Sequence, residues 1–199
     1  MIWFIADTHF GHANIIKFTD RPYGSVGEMN ESLIENWNNV VDHDDVVYHL
    51  GDFTLGNTDD ARGYFSRLNG RIRVLGYSWH HDSRWLPNED GESDFYSASD
   101  VPIVILPPVY VFGVAEYGTE THKQYIVLSH YPFAVWDRKH YGAWHLHGHT
   151  HGNYSGDGFV MDVGVDAIGC LPINLIGVAD HMRALGWHPG WLQFGDKDE

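Results

Sequence analysis

Histidines occupy alternate positions of Trp144-His145-Leu146-His147-Gly148-His149-Thr150-His151-Gly152. Alternate side chains of an extended segment share a face, so up to four imidazoles can converge there. Gly148 and Gly152 bracket the last two histidines, and glycine permits the bend that swings His149 and His151 off a strand end toward a common centre. The competing use of this pattern is a polar, half-buried strand whose histidines face water. Neutral imidazole, however, is the commonest side-chain metal ligand, and the rest of the chain supplies matching carboxylates. Asp7-Thr8-His9 follows one apolar run, Gly51-Asp52 a second, and residues 76–82, with His80, His81 and Asp82, a third. Cys170 is the only cysteine, so any metal is held by nitrogen and oxygen. Mixed carboxylate and imidazole ligation suits Mn²⁺, Fe²⁺ or Zn²⁺ better than Mg²⁺ or Ca²⁺.

These groups need elements to aim them. Residues 2–6, rich in Ile, Phe and Trp, predict a buried strand ending at Asp7. Residues 28–41 place Met29, Leu33, Ile34, Trp37, Val40 and Val41 at helical spacing. A second strand, 46–50, stops at Gly51-Asp52, Thr58 is a plausible N-cap for a helix through Leu68, and 72–75 is a third strand. That βαβαβ order implies parallel strands, and in such sheets ligands bind beyond the carboxyl ends. Residues 88–100 are acidic and turn-rich and read as a surface loop. Strands at 103–106, 109–114, 125–128, 144–147 and 159–163 follow with few helical intervals, indicating a second, more antiparallel sheet packed on the first. Residues 178–185 form a late helix closed by Gly186, and 190–199 read as a fraying tail.

A chain of 199 residues fits a single domain, 1–199, with ordinary hydrophobic (43%) and charged (20%) fractions. No apolar run approaches the roughly 20 residues needed to cross a bilayer, and the opening Met1-Ile2-Trp3-Phe4-Ile5-Ala6 reads as a strand rather than a secretion signal. With one cysteine, a reducing cytoplasm is the expected compartment. The formal charge of -15 opposes non-specific adhesion to a long nucleic acid. Nothing in the sequence indicates an oligomeric state.

Taken in order, Asp7-Thr8-His9, Gly51-Asp52, residues 76–82, Ser129-His130 and Gly148-His149-Thr150-His151 resemble the blocks of the calcineurin-like metallophosphoesterases, over residues 1 to about 177. The likeness is to small, uncapped bacterial or phage members. It implies a four-layer α-β-β-α sandwich of two mixed sheets flanked by helices. It also implies two divalent ions, Mn²⁺ first with Fe²⁺ and Zn²⁺ as alternatives. Asp7, His9 and His151 would bind one ion, His130 and His149 the other, with Asp52 between them. Two ions roughly 3.5–4 Å apart clamp a phosphoryl group and generate hydroxide near neutral pH, so the implied activity is hydrolysis of small phosphodiesters or phosphomonoesters by metal-bound hydroxide. The third block departs from the family's usual Gly-Asn-His-Asp or Gly-Asn-His-Glu. Aligning the His-Asp pair makes His81 the general acid, Asp82 its orienter, and His80 the replacement for the missing Asn ligand. That altered block also leaves open a binding or scaffold protein on the same fold with a degraded metal site.

Of the remaining groups, Asn14 and its neighbour His12 either touch substrate or structure the first loop. Arg21 and Arg138, with Lys139 and His140 beside the latter, are the cations best placed to hold a phosphate, against the alternative of solvated surface charge. His145 or His147 would support the ligands from behind, and His49 reads as a strand residue rather than a ligand.

Overall fold

The computed structural model describes residues 1–76, 81–87, 89–120 and 122–188; His80 and the tail 190–199 lie outside the described residues. Strands β1 (Ile2–Ile5), β2 (Val46–His49), β3 (Arg71–Leu75) and β5 (Pro102–Leu106) run parallel in one sheet. Two antiparallel edges complete it, β4 (Gly91–Tyr96) beside β5 and β10 (Ile173–Asn174) beside β1, in the order β10-β1-β2-β3-β5-β4. Parallel neighbours need a crossover connection, and helices make it between the first three strands. Helix α1 (Ile15–Phe18) and helix α2 (Val26–Val40) link β1 to β2, and α3 (Thr58–Phe65) links β2 to β3. In α2 the Ser25 hydroxyl accepts the Glu28 N–H as N-cap, while Met29, Leu33, Ile34 and Trp37 turn inward. The cap of α3 is Asn57 rather than Thr58, in a reciprocal capping box with Asp60.

The second sheet is β6 (Val109–Val114), β7 (Gln124–Ser129), β8 (Trp144–His147) and β9 (Val160–Asp162), in that order. Only β6 and β7 pair antiparallel, while β7, β8 and β9 are parallel; the sheet is mixed, as the resemblance implied, but it is not the more antiparallel of the two. The expected surface loop 88–100 likewise contains β4, an edge strand of which Phe95 alone is buried. Alternation along each strand divides the core into layers. Phe4, Tyr48, Leu75 and Leu106 from one sheet meet Ile126, Leu128, Trp144 and Leu146 from the other. Val47, Ile72 and Val74 on the opposite face of the first sheet carry α2 and α3. Helix α5 (Leu175–Ala184) sends Val178, Ala179 and Met182 into the layer between the sheets, against β1, β9 and β10. Over the outer face of the second sheet, Val127 and Val160 are covered by Trp136, Ala143 and Phe133. Among the described residues the expected helical layer there is therefore replaced by the connection between β7 and β8. No helix of the described residues is long and apolar enough to cross a membrane.

Candidate metal centre

Five strands from two sheets deliver their C-terminal ends to one place. An isolated parallel bridge, Ala6 to Gly164, ties the end of β1 to the segment after β9 and holds the two sheets in register there. The Asp7 N–H donates to Gly51 O at 3.1 Å, His9 N–H to Asp52 O at 3.0 Å, and Gly148 N–H to His130 O at 3.0 Å, so each ligand-bearing loop is laced to its neighbour. Three overlapping groups result: Asp7, His9 and His151; His9, Asp52 and His81; Asp52, His130 and His149. Within each group the ligand atoms lie within 4.8 Å of one another. Asp52 is the pivot, its Oδ2 standing 3.6 Å from His9 Nε2, 3.5 Å from His130 Nε2 and 3.9 Å from His81 Nε2.

The residues fit a cation by a direct observation. His9 is 1% exposed, yet neither of its ring nitrogens has a hydrogen-bond partner. A buried polar atom left this way is costly unless something coordinates it. The other imidazoles are held from behind. His130 Nδ1 donates to Leu50 O at 2.9 Å, and His151 Nδ1 to Asp166 Oδ2 at 2.6 Å, which turns each Nε2 toward the centre. Burial pushes the Asp7 carboxyl well above its ordinary range, and Asp52 and Asp162 add to it. Burial also pushes His9 well below its ordinary value, against the pull of Asp52. A cation among these groups would reverse the Asp7 shift and reinforce that of His9, whose neutral ring is the form that ligates.

Arg21 is not a phosphate ligand. Its guanidinium is buried and fully committed: Nε and Nη2 donate to the two Asp166 oxygens at 2.8 Å each, Nη2 to Asp7 O at 2.7 Å and Nη1 to Thr8 O at 3.0 Å. Burial would raise Asp166, but the bonds from His151 and Arg21 hold it well below the usual carboxylate range. Arg138 also stands elsewhere, paired with Asp137 and lying 4.1 Å over the Tyr125 ring. Asn14 is exposed at the N-cap of α1 and does not line the cleft. Asp82 serves a different part from the one expected. Its carboxylate accepts Phe53 N–H at 2.9 Å, Thr54 N–H at 3.0 Å and Trp85 Nε1–H at 2.9 Å, so it braces the loop after Asp52 rather than His81. His145 and His147 do not aim at the centre. His145 lies on the outer face of its sheet, stacked on Phe133, and His147 meets Tyr154 edge-on.

Three further residues hold the site together. Asp162 accepts from Thr150 Oγ1 at 2.7 Å, Gly152 N–H at 2.8 Å and Gly164 N–H at 2.8 Å, fixing the turn that carries His149 and His151. His49 Nε2 meets Thr8 Oγ1 at 3.0 Å, Thr8 Oγ1 donates to Phe53 O, and Gly51 N–H donates to His49 Nδ1 at 3.3 Å. The neutral ring therefore links the Asp7 and Asp52 loops. Asp166, at the start of α4 (Val165–Ile168), is the third. The only sequence signal for His49 was its place just before Gly51-Asp52; Asp162 lay within a predicted strand and Asp166 just after it, with no other signal.

No family model matches the chain. It is 34% identical over 183 residues to an uncharacterized protein of Methanocaldococcus jannaschii, covering 87% of this chain and 86% of that protein. It is 30% identical over 176 residues to the Gene 66 protein of Mycobacterium phage D29, covering 75% and 78%. A protein of unknown function from Aquifex aeolicus shares the fold at a TM-score of 0.62 and 20% identity, over 90% of this chain and 98% of that one.

Proposed function

We propose, for a chain that belongs to one family with the uncharacterized Methanocaldococcus jannaschii protein and the phage Gene 66 protein, that it is a metal-dependent phosphoesterase of the calcineurin-like kind. The observation that carries this reading is Asp52 standing between two histidine-rich triads, with the unsatisfied, buried His9 beside it. Asp7, His9 and His151 would hold one divalent ion and His130 and His149 a second, with Asp52 facing both. When bound, such a pair supplies activated water near neutral pH and positive charge across phosphoryl oxygens. The nitrogen and oxygen donors favour Mn²⁺, Fe²⁺ or Zn²⁺.

The chain's own groups account for the rest. His81 has its side chain 42% exposed, packs edge-on to His9 with ring centroids 5.1 Å apart, and faces Asp52 from the open side. It is the group placed to hold a proton for a departing ester oxygen. Asp82 supports this indirectly by fixing the Asp52 loop from below. The strand-end site between two mixed sheets also supports the family reading, although the outer helical layer is not formed among the described residues. The test is to strip the protein with a chelator, add back Mn²⁺, Fe²⁺ or Zn²⁺, and measure both bound metal and hydrolysis of bis(4-nitrophenyl) phosphate and 4-nitrophenyl phosphate. The expected outcome is uptake of about two ions per chain with hydrolysis restored. Metal uptake without turnover of either ester would instead favour a binding protein on this fold.

A further inference from the structure

Resting on that phosphoesterase reading, we propose that Phe18 is a stacking platform for an uncharged aromatic group, a nucleobase or aryl ring, carried by a phosphoester with a single phosphoryl group. The centre opens into a cleft of about 640 Å³ whose lining includes His9, Asp52 and His149 together with His12, Ile15 and Phe18. Single exposed apolar side chains on an open surface need no explanation. Phe18 differs by its place. It is 74% exposed within the lining of this cleft, and its ring meets His12 edge-on at 6.3 Å between centroids. Ile15, 4% exposed, supplies an apolar floor one helical turn earlier. Beside the ring, His12 Nδ1 is buried without a hydrogen-bond partner, a polar hook for an ester or sugar oxygen.

Charge sharpens the class. Among the described residues lining the cleft there is no lysine or arginine. Arg21, two positions beyond Thr19 at the same wall, spends its guanidinium on Asp166 and two carbonyls. A second phosphate or a polyanionic strand would meet no fixed cation there and would approach a chain of formal charge -15. A neutral ring meets Phe18 and Ile15. Base stacking on an aromatic side chain changes affinity roughly 5- to 100-fold.

The experiment compares two esters with the same leaving group, thymidine 5′-(4-nitrophenyl phosphate) and methyl 4-nitrophenyl phosphate, on Mn²⁺-loaded wild type, F18A, F18L and F18W. Binding of thymidine 5′-monophosphate and methyl phosphate is measured on the same proteins by calorimetry. The wild type is expected to prefer the thymidine ester in kcat/KM by about tenfold or more. F18A and F18L should lose most of that ratio, and F18W should keep it. Loss in F18L matters because leucine retains apolar bulk without a π face. A ratio near one in the wild type, or one unchanged in F18A, overturns the proposal. If neither ester is hydrolysed, and 4-nitrophenyl phosphate is not either, the phosphoesterase reading fails. Calorimetry then decides the platform alone: tighter binding of the thymidine ligand that disappears in F18A sustains it, and equal or absent binding overturns it.

Discussion

Asp7, His9, Asp52, His149 and His151 hold φ between 48° and 69°, a left-handed backbone that non-glycine residues seldom adopt. Each such residue costs on the order of 1–3 kcal/mol and persists only where its surroundings fix it. Here the surroundings are Arg21, Asp166, Asp162, Asp82 and His49. Arg21→Ala leaves the Asp166 carboxylate with His151 as its remaining side-chain partner and strips two backbone carbonyls of theirs, and is expected to destabilise by about 3 kcal/mol, with Arg21→Lys recovering only part. Calorimetric unfolding of the metal-free variants checks this, and a change within error of wild type would contradict it. Asp52→Asn should abolish tight Mn²⁺ uptake, whereas Asp166→Asn, which loosens His151 and the Arg21 clamp but removes no residue of the triads, should weaken it about 10- to 100-fold; metal titration separates the two. The candidate ligands were legible because each sits in a short motif at a predicted strand end. Their supports were not. Arg21 meets Asp166 across 145 positions, and a lone arginine before Pro22 or a lone aspartate after Val165 has no spacing to read.

At the scale of elements, the site depends on how closely β1 and the turn after β8 approach. A Cβ on Gly148 would fall 2.6 Å from both Asp7 Oδ2 and Ala6 Cβ. Gly148→Ala is therefore expected to push the His149 turn off the Asp7 carboxylate, which now accepts the His149 N–H at 2.9 Å. The variant should fold with lower stability and bind Mn²⁺ much more weakly, and unchanged Mn²⁺ affinity would refute this account of the turn. The buried parallel strands were legible as apolar runs because both faces of each are covered. The edge strand β4, reading Gly-Glu-Ser-Asp-Phe-Tyr, was not, because it has one neighbour and one buried side chain. The sense of β8 escaped for a different reason. Alternation is the same in parallel and antiparallel strands, and the return from β7 to β8 is made by a loop with Trp136 rather than by a periodic helix.

Across the whole molecule, acidity acts on the buried histidines, and His145 on the outer face of the second sheet is one of them. His145 Nδ1 faces Val127 O at 3.1 Å, while Nε2 accepts the Phe133 N–H at 3.0 Å, so both nitrogens are used in the neutral ring. Burial lowers its pKa to about 4, partly offset by the Val127 carbonyl. An unfolded histidine takes up its proton near pH 6.5, so stability is lost as pH falls from about 6.5 to about 4, by up to about 3 kcal/mol. Urea unfolding at pH 7 and pH 5 should show that loss in wild type. It should be shallower in His145→Phe by close to one proton, although that variant is less stable at pH 7 because two backbone groups lose their partner. The cation-free cleft has a consequence of its own. Until a divalent ion enters, an anion finds no lysine or arginine among the described lining residues. Inorganic phosphate should then bind measurably only in the presence of Mn²⁺, and by reciprocity should tighten Mn²⁺ by the same factor. Unequal factors, or phosphate binding without the ion, would rule this out. On the proposed reading, a molecule so built would answer to the product of two concentrations, as a coincidence detector for metal and ester.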